Sequence, residues 1–160
     1  RGAYQTLFAE RQVSKTYQAV AEFRSFPTPL QWSSHLTKKA GEIQGRIGNG
    51  TPNAFTTLED VGQVDNAPYE SVHGPLPQLG KYTLKPTTGK THQLRLHMWQ
   101  AGIPILGDPV YPNILPEEEE DMRLPMHLTA TKIEFIDPLS GKARQFQSDL
   151  PLYTHRLIRQ

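Results

Sequence analysis

"TTGKTHQLRLHMWQAGIPILGDPVYP", residues 87–112, places a glycine-bearing turn, a periodic segment and a second Gly-Asp-Pro turn in direct succession. The spacing predicts a helix from near Thr91 to Gly102, where glycine is a good helix stop. Leu94, Met98 and Ala101 then form its buried stripe. A strand is the alternative, because Leu94, Leu96 and Met98 also alternate; the leading turn and closing glycine favour helix. Arg95 lies near the start of this helix among apolar residues that draw the segment inward. A guanidinium there stays charged and requires a carboxylate or phosphate partner. The competing reading is a surface arginine with its stem laid over apolar neighbours.

Working outward, residues 80–86 alternate as a strand into the turn, and residues 103–107 are apolar and bounded by turns. Residues 126–136, "MHLTATKIEFI", read as a strand, "DPLSG" as a turn, and "KARQFQS" as the returning arm of a hairpin. Upstream, residues 1–12 have helical spacing and residues 13–24, "VSKTYQAVAEFR", alternate as a strand with Tyr17 on the face of Val13, Lys15 and Ala19. Residues 25–53 are rich in Pro, Gly, Ser and Asn and read as an irregular excursion with one short strand near Glu42–Ile47. Residues 54–61 and Tyr69–His73 read as strands. No internal repeat is visible. The expectation is an α+β domain with a mixed, mostly antiparallel sheet and few helices.

Several chemistries are excluded by spacing. Gly89-Lys90-Thr91 lacks the second glycine that a phosphate loop needs, since Leu84 stands there and Pro86 removes a donor. Gly45–Gly50, "GRIGNG", has its glycines in the wrong order for a dinucleotide fingerprint. His92 and His97 are five apart on a helix, roughly 140° around the axis, so they do not face one ion. A metal-dependent hydrolase using His92, His97 and Asp108 is therefore a minor reading, and no metal is expected. Ser14, Ser33, Ser34 and Ser71 lack the strand–turn–helix context of a serine nucleophile.

With 160 residues, 36% apolar and 21% charged, the chain suffices for one folded domain. It has no apolar run of membrane-spanning length and its first residues are too polar for a signal peptide. There is no cysteine, so thiolate metal sites and disulfides are excluded and a cytoplasmic setting fits. Net charge is +1, but "EEEED" at 117–121 concentrates five negative charges in a proline-flanked loop, leaving the remainder basic enough to present a cationic face.

Residues 89–111, "GKTHQLRLHMWQAGIPILGDPVY", resemble the signature of the RluA-type pseudouridine synthases. That family typically reads Gly-Arg-Thr-His-Gln-Ile-Arg-Val-His, then Gly-His-Pro-Ile-Leu-Gly-Asp, then Tyr. This sequence departs at Lys90 for the usual Arg and Ile103 for the usual His. "FAERQVSKTYQAV" upstream is similar to the family's Lys-x-Tyr strand, and "MHLTATKIEFIDPLSGK" downstream to its Leu-His-Ala strand and hairpin. Residues 24–80 match poorly and are where RNA specificity would lie.

The resemblance implies isomerisation of uridine to pseudouridine in ribosomal or transfer RNA, without cofactor or metal, on a base flipped from its stack. Tyr17 would pack on the flipped base and assist proton loss from carbon 5. Arg95 would pair with the catalytic aspartate and hold it ionised. Thr91, His92 and Gln93 would shape the turn and contact the RNA backbone. Lys15 and Lys90, with Arg11 and Lys85, are the candidate phosphate contacts. Asp108, before Pro109, is read as a structural turn residue and not as the nucleophile.

The family's aspartate lies in a His-Arg-Leu-Asp motif ahead of the Lys-x-Tyr strand. Nothing before Tyr17 supplies it here, and His155-Arg156-Leu157 is followed by Ile158. Residues 1–160 are accordingly expected to be the carboxyl-terminal portion of a catalytic domain, inactive alone. The alternative is a relative that binds RNA without catalysis.

Overall fold

The computed structural model describes residues 13–116, 125–137 and 139–147. The expected amino-terminal helix with Arg11, the acidic run at 117–121 and His155–Leu157 lie outside the described residues.

Seven strands form one antiparallel sheet: β1 (Ser14–Glu22), β2 (Leu30–Thr37), β3 (Arg46–Gly48), β4 (Ala54–Gln63), β5 (Leu79–Pro86), β6 (Leu128–Ile136) and β7 (Ala143–Gln147). Their order across the sheet is β3-β2-β4-β5-β1-β6-β7. Two helices, α1 (Ala67–His73) and α2 (Gln93–Gln100), complete the described elements. The expected α+β architecture with a mostly antiparallel sheet is the one observed.

Period-2 alternation builds the core on both faces of the sheet. Tyr17, Ala19 and Ala21 of β1 pack with Leu58, Tyr82 and Leu84, and α2 adds Leu94 and Met98. Val20 points to the opposite face, where it meets Leu79 and Tyr69 of α1. A third cluster, Leu36, Ala54, Leu96 and Tyr111, joins α2 to the β2 side of the sheet.

Three expectations are corrected. The stretch read as irregular contains β2, whose inward positions include a buried serine. Ser34 is satisfied by donating to Gln100 Oε1 at 2.7 Å, so a polar residue occupies a core position and hides the alternation. The short strand expected at Glu42–Ile47 is β3 at Arg46–Gly48. Tyr69–His73 is not a strand but the end of α1. Pro68 is tolerated in its first turn, Asp65 accepts the Ala67 amide at 3.0 Å, and Gly74 closes it at φ 79°.

The α2 helix lies within the span read as helical but has no narrow buried stripe. Every residue from Gln93 to Met98 is buried, and Ala101 is only partly so. α2 packs against β2 and β4 while Leu96 turns toward Tyr111, which encloses the helix on several sides.

Candidate functional site

The start of α2 is held by a polar network that begins in the turn. Thr88 Oγ1 accepts the Phe55 amide at 2.9 Å and donates to Gln93 Oε1 at 2.7 Å. Gln93 Oε1 also accepts the Lys90 amide, while Nε2 donates to Phe55 O and to Thr56 Oγ1, both at 2.9 Å. The amide of Gln93 thus uses both donors and both lone pairs, as a side chain 1% exposed must to avoid a desolvation penalty. Thr56 Oγ1 continues the network to His97 Nδ1 at 2.8 Å. Burial lowers the His97 pKa to about 4, so its ring is neutral at pH 7.

His92 adopts a left-handed backbone, φ 57°, immediately before the helix. Its Nδ1 lies 2.7 Å from the Tyr111 hydroxyl, which accepts the Gly45 amide at 2.7 Å. The Tyr111 hydroxyl thus joins the Gly45 amide to the His92 ring. Burial, aided by the nearby Arg95 charge, lowers the His92 pKa to about 4. The residue is a neutral hydrogen-bonding wedge in the turn.

Arg95 is buried and bidentate on Asp108: Nε to Oδ2 at 3.0 Å and Nη2 to Oδ1 at 2.7 Å. The two side chains are 3% and 1% exposed. Asp108 Oδ1 also accepts the Val110 and Tyr111 amides, which folds the Gly107–Tyr111 turn around the carboxylate. The guanidinium carbon sits 5.3 Å from the Tyr111 ring centroid, within cation–π range. Arg95, Asp108, Tyr111 and His92 therefore form one unit.

Gly107 locks that unit to the sheet. At φ 81°, any Cβ here would collide with the Pro125 carbonyl. Next to it, Leu106 donates to Val20 O at 2.8 Å and accepts the His127 amide at 2.9 Å.

Among the residues expected to form the site, Thr91, His92, Gln93 and Arg95 converge in this turn-and-helix start, with Lys90 and Thr91 exposed at its rim. Tyr17 and Lys15 enter separately from β1. Tyr17 pairs in register with Leu84, two residues before the end of β5, so β1 begins at the sheet end from which the turn departs. Tyr17 is 8% exposed and shares a core cluster with Leu94 and Met98. The carboxylate beside Arg95 among the described residues is Asp108, read from the sequence as a turn residue and seen here to be both turn and counter-ion. The side chains of the metal-hydrolase reading are engaged separately: His92 by Tyr111, His97 by Thr56 and Asp108 by Arg95. Thr56 and Gly45 were not foreseen, and Tyr111, which closes the family-like stretch, was given no role. Thr56 lies 37 residues from Gln93, Tyr111 19 from His92 and Gly45 66 from Tyr111, so no local pattern announces these contacts.

This fold is that of pseudouridylate synthase domains. The human RNA pseudouridylate synthase domain containing 1 superposes with a TM-score of 0.70 at 24% identity, covering 99% of this chain and 66% of that one. Its domain containing 4 counterpart gives 0.62 at 21% identity, covering 96% of this chain and 65% of that one. Residues 2–100 match the RNA pseudouridylate synthase family, and the chain belongs to it. An uncharacterized RNA pseudouridine synthase of Haemophilus influenzae is 31% identical over 134 residues, 84% of this chain and 53% of that protein. A ribosomal large subunit pseudouridine synthase C of Rickettsia conorii is 31% identical over 156 residues, 94% of this chain and 46% of that protein. A tRNA pseudouridine synthase C of Vibrio vulnificus is 29% identical, covering 82% of this chain and 56% of that protein. The chain spans about half the length of the curated relatives it matches.

Proposed function

We propose that the protein isomerises uridine to pseudouridine in ribosomal or transfer RNA, with no cofactor or metal, in the cytoplasm, and that residues 1–160 are part of a pseudouridine synthase catalytic domain. The bond from the ribose C1′ to N1 breaks, the base turns, C1′ bonds to C5, the C5 proton leaves and N1 gains one. The observation that carries this reading is the buried Arg95, fixed by Asp108 at a helix start within the stretch that matches the family.

In this reading two nitrogens of Arg95 are held by Asp108, so the guanidinium is immobilised where a catalytic aspartate approaches it. A positive charge held there keeps such a carboxylate ionised. Tyr17 supports the flipped base from β1. Lys15, Lys90 and Thr91 take the RNA backbone, while His92 and Gln93 fix the turn that presents it.

Arg95→Met with Asp108→Leu, which leaves no buried unpaired charge, should cut pseudouridine formation by the intact, folded domain at least about 100-fold while RNA binding persists, the scale expected for a lost electrostatic stabiliser. Tyr17→Phe should lower turnover and leave binding in place. Wild-type turnover in both variants would overturn the assignment. The 160-residue chain contains no His-Arg-Leu-Asp sequence and is expected to be inactive alone, so product from the purified chain would place the nucleophile among these residues.

A further inference from the structure

The loop between β2 and β3 enters the site described so far only through Gly45, yet its whole base is built onto that site. The Gly45 amide donates to the Tyr111 hydroxyl, the same hydroxyl that holds His92. Gln44 Nε2 donates to the carbonyls of Val110 and Pro112 at 2.7 and 3.2 Å. Gly45 is needed at this approach: a Cβ would fall 2.8 Å from Leu96 Cδ1 and 3.4 Å from the Tyr111 hydroxyl. The outgoing and returning arms of the loop are paired, with Thr37 opposite Arg46. Lys38 follows Thr37, whose carbonyl lies 3.4 Å from where a Gly45 Cβ would stand, so it leaves the sheet at the base that Tyr111 ties to His92.

The charges on this loop are sorted. Glu42 is neutralised by Arg46, which grips it with Nε and Nη2 at 3.1 and 2.7 Å. Lys38 and Lys39 are exposed and form no ion pair among the described residues. Two exposed cations, without an ion pair among the described residues, thus stand on a loop whose base is tied through Tyr111 to His92, next in the chain to the exposed Lys90 and Thr91, at a site whose substrate, on the function proposed above, is a polyanion.

We propose that the β2–β3 loop is an RNA-backbone arm, in which Lys38 and Lys39 bind the phosphates flanking the target nucleotide and extend the rim formed by Lys90. This rests on the RNA-modifying reading. A phosphate strand crossing both lysines releases counterions, and each contact contributes about 0.7–0.9 to the slope of log affinity against log salt. The arm places the strand, whereas Tyr17 supports the base and Arg95 acts on the catalytic aspartate.

The test is the affinity of the full-length protein for a uridine-containing RNA hairpin, measured by fluorescence anisotropy across a salt series. Lys38→Ala with Lys39→Ala should weaken binding several-fold at low salt and make the slope shallower by about 1.5. Both residues are exposed, so the thermal midpoint should not move. Lys132→Ala with Lys142→Ala, on the β6–β7 hairpin, should leave the slope unchanged. An unchanged slope in the Lys38/Lys39 variant, beside a wild type that binds RNA, overturns the arm and leaves the proposed function standing. An equal loss in the Lys132/Lys142 control also overturns it, because the effect is then only net charge. A wild type with no salt-dependent RNA affinity overturns both readings together.

Discussion

Taking Arg95 and Asp108 out of water costs several kcal/mol per ion, which only close geometry and further hydrogen bonds offset. Both conditions hold: the contact is bidentate, and Asp108 takes two backbone amides besides. Removing one partner leaves the other buried and uncompensated, so Asp108→Ala should lower unfolding stability by about 3–5 kcal/mol in a denaturant titration. Pairing Asp108→Leu with Arg95→Met should cost clearly less than the sum of the single changes. Additive losses would show that the two charges do not depend on each other. The apolar neighbours of Arg95 were legible, but they left burial open against a surface placement, which the ion pair decides. The partner of Arg95 was not legible, because Asp108 lies 13 residues on, across a turn.

At the scale of elements, α2 is unusual in burying Gln93, Arg95 and His97 alongside Leu94, Leu96 and Met98. The polar residues are each matched by a specific acceptor or donor on β4 or in the following turn. Gln93→Leu keeps the apolar volume but breaks the bonds to Thr88, Lys90, Phe55 and Thr56. At about 0.5–1.5 kcal/mol for each of these four bonds, it should cost about 2–6 kcal/mol in a denaturant titration. A stability change under about 0.5 kcal/mol would mean that the network is solvated. The helix itself was legible from its turn and closing glycine. β2 was hidden by Ser34, and α1 was misread because the β-favouring Tyr69 and Val72 outweighed the Asp65–Pro68 start signal.

At the scale of the molecule, three histidines among the described residues are kept neutral by burial: His92, His97 and His127 all have their pKa lowered from 6.5 to about 4. His73, whose Nε2 lies 3.0 Å from that of His127, is lowered too. As pH falls from about 6.5 to 4 the unfolded chain takes up protons on these rings that the folded chain excludes. Stability conferred above pH 6.5 is therefore lost through that window. Denaturant titrations at pH 7 and pH 5 should show a lower stability at pH 5, and His97→Gln should reduce the difference. A flat profile would show that the rings titrate normally in the folded state.

The antiparallel α+β plan, the turn before α2 and the β6–β7 hairpin were determined by the sequence itself, since alternation, turn residues and helix stops act over a few neighbouring positions. The inward pull on Arg95 was determined in the same way. Only the tertiary structure decided that Arg95 pairs with Asp108, that Thr56 joins Gln93 to His97, and that one hydroxyl on Tyr111 ties His92 to the base of the Lys38–Gly45 loop. Those choices depend on distances between segments far apart in the chain. A buried polar group takes the partner that the packed sheet brings within hydrogen-bond reach, and no local pattern encodes which one that is.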